Sequence, residues 1–211
     1  MFRFGPIELE HLGHAGFRIK GDVIVYIDPY QIKDKPMDGV IVICTHDHFD
    51  HCSINDVKKV AKQDATIIAA RNCSQHVKKL KMENILLNPG DEVTVKGVRV
   101  KAYPAYNVNK PFHPKSYGGI GVLVEVNGVR IYHAGDTDFI DEMKDLEGKV
   151  DIALLPVSGT YVMTAEEAAE AAKVIKPKVA IPMHYGVIVG SIEDAKRFKE
   201  KLSGVCEVVI L

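Results

Sequence analysis

The segment "THDHFDH" at 45–51, directly after the apolar run "VIVIC", constrains this chain more than any other. It crowds five ionisable side chains, His46, Asp47, His48, Asp50 and His51, into six residues at the end of what reads as a buried strand. Protonated imidazoles would repel one another there, and so would ionised carboxylates, unless a cation sits among them. Clustered His and Asp are the usual donors for borderline divalent metals. Structural zinc sites tend to be cysteine-rich and closed, whereas nitrogen and oxygen donors suit an ion that keeps a position open for water.

In a turn leaving a strand, His46 and His48 at i and i+2 can point to one side and hold one ion, while Asp50 and His51 face a second. Two ions about 3.5–4 Å apart can share a bridging hydroxide that is nucleophilic at neutral pH. Such a pair calls for a bridging carboxylate. Asp136, in "YHAGDTD" after a strand, can supply it, and His184, ending "VAIPMH", completes the second ion's donors.

The rest of the chain reads as short strands and a few helices. "IELEHL" alternates, "FRIK" and "VIVYID" flank Gly21-Asp22 as a hairpin does, and "VIVIC" suits a strand buried on both faces. A helix is expected from Ser53, with Asp three residues on, and another near 74–82. "TIIAA", "ILL", "EVTV" and "VRVKAY" read as strands. Asn127-Gly128 between "IGVLVEV" and "VRIYH" signals a tight hairpin. Thr164 and Glu167 form a capping box opening a helix, "SIEDAKRFKEKL" is a further helix, and "DIALLPV", "KVAIPM" and "VCEVVI" are strands. Each half thus places an aspartate (Asp28; Asp136) after a hairpin, then an apolar strand ending in histidine (His46; His184). Two β-rich sheets packed face to face, with helices outside, are the expected arrangement.

Length and composition set the remaining bounds. A chain of 211 residues, 46% hydrophobic, can build one sizeable core, and one domain over 1–211 is the expectation. With 27 basic against 28 acidic residues, nothing advertises nucleic acid, although a nuclease with a local basic groove stays open. No apolar run approaches the ~18 residues of a membrane span, and "MFRFGPIELE" lacks the apolar region of a secretory signal. Cys44, Cys52, Cys73 and Cys206 show no C-x-x-C spacing, so a reducing cytoplasm is expected.

The order H-x-H-x-D-H (His46, His48, Asp50, His51), "GDT" (Asp136) and a late strand-end histidine (His184) resembles the metallo-β-lactamase-fold hydrolase superfamily. "LGHAGF", "YIDPY" and "YHAGDTD" look more narrowly like its small cytoplasmic branch, which includes an ascorbate-phosphate lactonase. The resemblance implies an α/β (α+β) fold, a four-layer αβ/βα sandwich with metals at one edge between the sheets. It implies one or two zinc ions, with Mn or Fe as alternatives. His46 and His48 would bind the first, Asp50, His51 and His184 the second, and Asp136 would bridge them. It implies a metal-bound hydroxide attacking a phosphodiester, or a lactone or other ester, of a small and perhaps anionic metabolite.

The superfamily also expects a third histidine for the first ion. His113 in "FHP" is the only one in the intervening stretch, but "PAYN" offers Asn107 as the alternative occupant. Asp50 or Asp47 could steer the proton. His11 and His14 could line the pocket or be structural; Asp28 could orient a ligand histidine or cap a turn; His133 reads as a supporting or packed residue. Lys110 and Lys115 could hold an anionic substrate or be solvated, and Cys52 is not taken as a ligand. The competing class is a non-catalytic metal-binding or nucleic-acid-processing module on the same fold.

Overall fold

A computed structural model describes residues 1–211. The first half builds one seven-stranded sheet from β1 (Phe2–Phe4), β2 (Ile7–Gly13), β3 (Gly16–Lys20), β4 (Ile24–Ile27), β5 (Gly39–Cys44), β6 (Ala61–Ala70) and β7 (Glu83–Leu87), in that spatial order. The second half builds a second sheet from β8 (Glu92–Val95), β9 (Val98–Pro104), β10 (Ile120–Val126), β11 (Val129–His133), β12 (Ile152–Pro156), β13 (Val179–Met183) and β14 (Glu207–Val208). Both sheets switch pairing at the same point. β1 to β4 and β8 to β11 pair antiparallel; β4 to β7 and β11 to β14 pair parallel.

The parallel strands need crossovers, and these carry the helices. α1 (Ile54–Val60) and α2 (Ser74–Val77) pack on β5 and β6, while α3 (Ala165–Ile175) and α4 (Ile192–Lys201) pack on β12 and β13. The caps are those the residues predict. Ser53 caps α1, and Thr164 accepts from the Glu167 N–H while Glu167 accepts from the Thr164 N–H. One connected hydrophobic core draws on both sheets and all four helices. The result is a sandwich of two mixed sheets flanked by helices, and none of its helices is long and apolar enough to cross a membrane.

Four expectations are corrected. The helix expected over 74–82 ends at Val77, because the chain must turn into β7 at Glu83. "TIIAA" is the end of a longer strand that starts at Ala61, and the closing strand shrinks to Glu207–Val208. The strand-end histidines are not equivalents: His46 follows β5, whose counterpart is β12, whereas His184 follows β13, whose counterpart is β6. Asp28 after β4 and Asp136 after β11 do correspond.

The strand directions position the site. Parallel strands end at one edge, and open sheets of this kind collect functional loops outside their carboxyl ends. The segments bearing His14, Asp28, residues 45–51, His113, Asp136, Ser158 and His184 all leave carboxyl ends, of β2, β4, β5, β9, β11, β12 and β13. Within each sheet these strands run in the same sense.

Candidate metal centre

At that edge side chains gather in two groups of donors, each lying within 4.8 Å of one another: His46, His48, His113 and Asp136 in one, His14, Asp50, His51 and His184 in the other. Asp136 stands between them. Its Oδ2 lies 3.8 Å from His46 Nε2, 3.6 Å from His113 Nε2 and 3.2 Å from His184 Nε2, and its Oδ1 lies 3.3 Å from His51 Nε2.

Bringing Asp136 there requires Gly135, whose φ is +65°; a Cβ at that position would lie 2.6 Å from the Ile120 carbonyl oxygen. Behind the turn, His133 accepts from the Gly135 N–H at 3.1 Å and donates to the Ala15 carbonyl at 2.8 Å, tying it to the first sheet's loop. His133 is therefore a support.

The histidines hold their orientation through their outer nitrogens. His51 Nδ1 donates to Asp28 Oδ2 at 2.7 Å, and His113 Nδ1 donates to Asn107 Oδ1 at 3.1 Å. His184 Nδ1 lies 3.1 Å from Ser158 Oγ. Thr45 Oγ1 donates to Asp28 Oδ2 at 2.6 Å, so its lone pair is left for His46 Nδ1, 3.1 Å away. With those protons outside, Nε2 of His46, His51 and His113 points inward, the ring placement of metal-ligating histidine, and His51, its pKa raised by Asp136 and Asp28, gives up its Nε2 proton to ligate. Asp28, buried with a φ of +45°, thus governs two rings at once.

Of the two candidates for the third position, the structure places His113 among the donors. The His113 ring sits in the cluster, its Nε2 3.3 Å from His48 Nδ1, which itself lies 3.1 Å from His46 Nε2. Asn107 stands directly behind it. The Asn107 amide donates to Asp138 Oδ1 at 3.1 Å and the Tyr161 carbonyl at 2.9 Å, which leaves Oδ1 to accept from both the His113 N–H and ring.

His14 had no ligand-like spacing in the sequence, yet it is buried against the second group. Its Nε2 bonds Asp50 Oδ2 at 2.9 Å, and its carbonyl accepts from the His184 N–H at 2.7 Å and from His11 Nε2 at 3.0 Å. "LGHAGF" was the only signal, a histidine beside a turn; its left-handed φ of +52° could not be read from residue types alone.

Other candidates have partners of their own. Asp47 does not line the cleft; its carboxylate accepts from the Tyr117 hydroxyl. Lys110 and Lys115 pair with Asp138 and Glu142, and neither lines the cleft. The four cysteines are unpaired, and Cys52 is in neither donor group.

The electrostatics suit a cation. Burial pushes the His46, His14 and His113 pKa values down, favouring neutral imidazole. Burial acts against ionised Asp136, but His184 and His51 beside it hold its carboxyl well below the usual range. Burial acts likewise against the imidazolium of His51, yet Asp136 and Asp28 outweigh it and raise the pKa to about 9. His51 Nε2 and Asp136 Oδ1 are buried without a hydrogen-bond partner, two facing donors that a divalent ion would satisfy. The donor set fits such an ion.

We expect Asp28→Asn to weaken metal binding about 10–100-fold, the usual cost of losing an orienting partner. An amide N–H facing His51 Nδ1 would push the ring proton to Nε2. Metal titration of the purified variant, with a thermal melt as folding control, reads this. Unchanged affinity in a folded variant would make Asp28 a turn residue only.

Comparison with known proteins agrees with this architecture. The model of the beta-lactamase superfamily domain matches residues 8–184. A metal-dependent hydrolase of Thermoplasma acidophilum is 36% identical over 215 residues, covering 94% of this chain and 92% of that protein. One of Thermococcus kodakarensis is 33% identical over 218 residues, covering 97% and 96%. Among solved structures, a Parabacteroides distasonis protein assigned as a metal-dependent hydrolase superposes with a TM-score of 0.82 at 31% identity, covering 97% of this chain and 92% of that one. The chain belongs to the metal-dependent hydrolases of the β-lactamase superfamily.

Proposed function

We propose that this protein hydrolyses an ester-like bond, in a lactone, carboxylic ester or phosphodiester of a small metabolite, at a centre of two divalent cations, zinc being the first candidate and Mn or Fe the alternatives. His46, His48 and His113 hold one cation, and Asp50, His51 and His184 the other. Asp136 holds both. The observation that carries this reading is the position of Asp136, whose two oxygens reach both donor groups. A scaffold or structural site has no need of a carboxylate shared in that way beside an open cleft.

When bound, the ions lower the pKa of water and polarise the substrate oxygen. The chain's own contribution is orientation and proton handling. Asp50, steadied by His14 and lining the cleft, accepts the proton as water adds to the ester carbon or phosphorus. It returns that proton to the departing oxygen as the C–O or P–O bond breaks. Asp47 acts indirectly, fixing Tyr117 and with it the histidine loop. A cytoplasmic site of action fits four unpaired cysteines.

The test is reconstitution. Metal-free protein is loaded with Zn, Mn or Fe, ions are counted by mass spectrometry, and hydrolysis is followed on matched lactone and phosphodiester panels. Two equivalents bound, with activity lost and regained on chelation and reloading, is the expected result. Two equivalents with no hydrolysis of any substrate would overturn the catalytic reading; failure to bind any would overturn the metal assignment.

A further inference from the structure

The cleft over the donor cluster is about 290 Å³ and is lined by two sharply different surfaces. Its floor is polar: His48, Asp50, His113, Asp136 and His184. Its walls are Phe49, Phe112, Tyr161 and Ile188. Three of these apolar side chains are open to water, Phe49 at 67%, Phe112 at 44% and Ile188 at 42% exposure. Large apolar groups gathered round one opening mark a binding surface, whereas single ones scattered over a protein need no explanation. These come from three separate loops, after β5, after β9 and after β13, with Tyr161 from a fourth after β12. Two are braced: Phe112 stacks edge-on against Tyr161 with centroids 4.7 Å apart, and Phe49 against Tyr30 at 5.8 Å.

Charge narrows the ligand further. No Lys or Arg lines the cleft. The two lysines of the 105–119 loop are bound to Asp138 and Glu142. Sites that read phosphate or carboxylate groups usually present guanidinium or ammonium donors to them. Here the walls offer apolar surface, aromatic faces and, as their one polar group, the uncharged Tyr161 hydroxyl. A flanking anionic group would lose its hydration against them without a charged partner.

Resting on the hydrolase reading above, we propose that the substrate is a neutral carboxylic ester or lactone whose alkyl or aryl chain lies on the collar formed by Phe49, Phe112, Tyr161 and Ile188. The ester carbonyl faces the polar floor. Water oxygen adds to the carbonyl carbon, the bond from that carbon to the alkoxy oxygen breaks, and the alkoxy oxygen takes a proton. The products are a carboxylate and an alcohol, joined in one molecule when a lactone opens, with one proton released to solvent.

Two measurements test this. The first is binding, read without turnover: isothermal titration of the protein with γ-lactams carrying a butyl chain, a hexyl chain or a carboxymethyl group. Affinity should rise about threefold or more per added methylene, and the carboxymethyl ring should bind more weakly than either alkyl ring. The second is hydrolysis by the metal-loaded protein of 4-nitrophenyl esters of growing chain length, beside a carboxylate-tailed ester and bis(4-nitrophenyl) phosphate. The neutral long-chain ester should have the highest kcat/KM. In Ile188→Lys, at an exposed position that leaves the core untouched, the ratio of alkyl to carboxylate-tailed ester should fall at least about tenfold. Lactam binding with no hydrolysis would sustain the collar and sink the hydrolase reading. Hydrolysis that favours the anionic substrates, or that ignores chain length while the lactams bind alike, would overturn the collar and leave the hydrolase reading intact.

Discussion

Asp136→Asn is expected to lower turnover by at least ~10²-fold and to cost at least one bound cation, while the metal-free protein still folds, with a melting temperature lowered by the loss of the buried Asp136 pairs with His184 and His51. The magnitude follows from the position of the side chain. Losing a mere orienting partner costs about 10–100-fold in metal affinity, and Asp136 reaches the donors of both groups directly. Asparagine keeps the shape but removes the charge that offsets two cations. The fold should tolerate it, because the Gly135 turn and the His133 bonds behind it are untouched. Ion counting by mass spectrometry, kinetics on the best ester, and a melt of the stripped protein give the three readings. A variant with full metal content and parental turnover would reduce Asp136 to a turn residue.

The second large effect is expected at His113. His113→Ala should leave the first cation with only His46, His48 and a shared carboxylate, weakening it by more than the ~10–100-fold that an orienting residue commands. The second cation, assigned on the proposed reading to Asp50, His51 and His184, should stay. Asn107→Ala makes the informative companion, because Asn107 only holds the ring in place. It should fall inside that ~10–100-fold range. Stepwise titration from the metal-free state separates the two sites. Parental binding curves for both variants would remove His113 from the donors and favour a one-ion centre.

Much of this was open to inspection in the residue order, and the reasons differ from element to element. "VIVIC" announces β5 because a strand buried on both faces needs no polar alternation. Asn127-Gly128 announces the β10–β11 hairpin because both residues tolerate positive φ, +50° and +76° here. The histidine loop stands out because crowding charge at a strand end makes sense only with a counter-ion. What escaped are features made by long-range packing. Asn107 gains its meaning from Asp138, 31 residues away, and His14 from Asp50, 36 residues away. Neither separation has a periodic signature. Lys110 and Lys115 looked available because their partners lie across the site in sequence. The equivalence of His46 and His184 failed for another reason: an apolar run shows that a strand is buried, not which place it takes in the sheet.

The mirrored order of the two sheets bears on how the molecule comes together. The first half carries His14, His46, His48, Asp50 and His51; the second carries His113, Asp136 and His184. On the two-cation reading, neither half alone offers either ion a full set of partners. Each would present only part of a donor set at its edge. A cation bound across the seam then works as a latch between two otherwise similar building blocks, with a holding strength that grows with the logarithm of free metal. Because one connected core already joins the two sheets, the latch adds to that packing, and the melting temperature should rise with free metal.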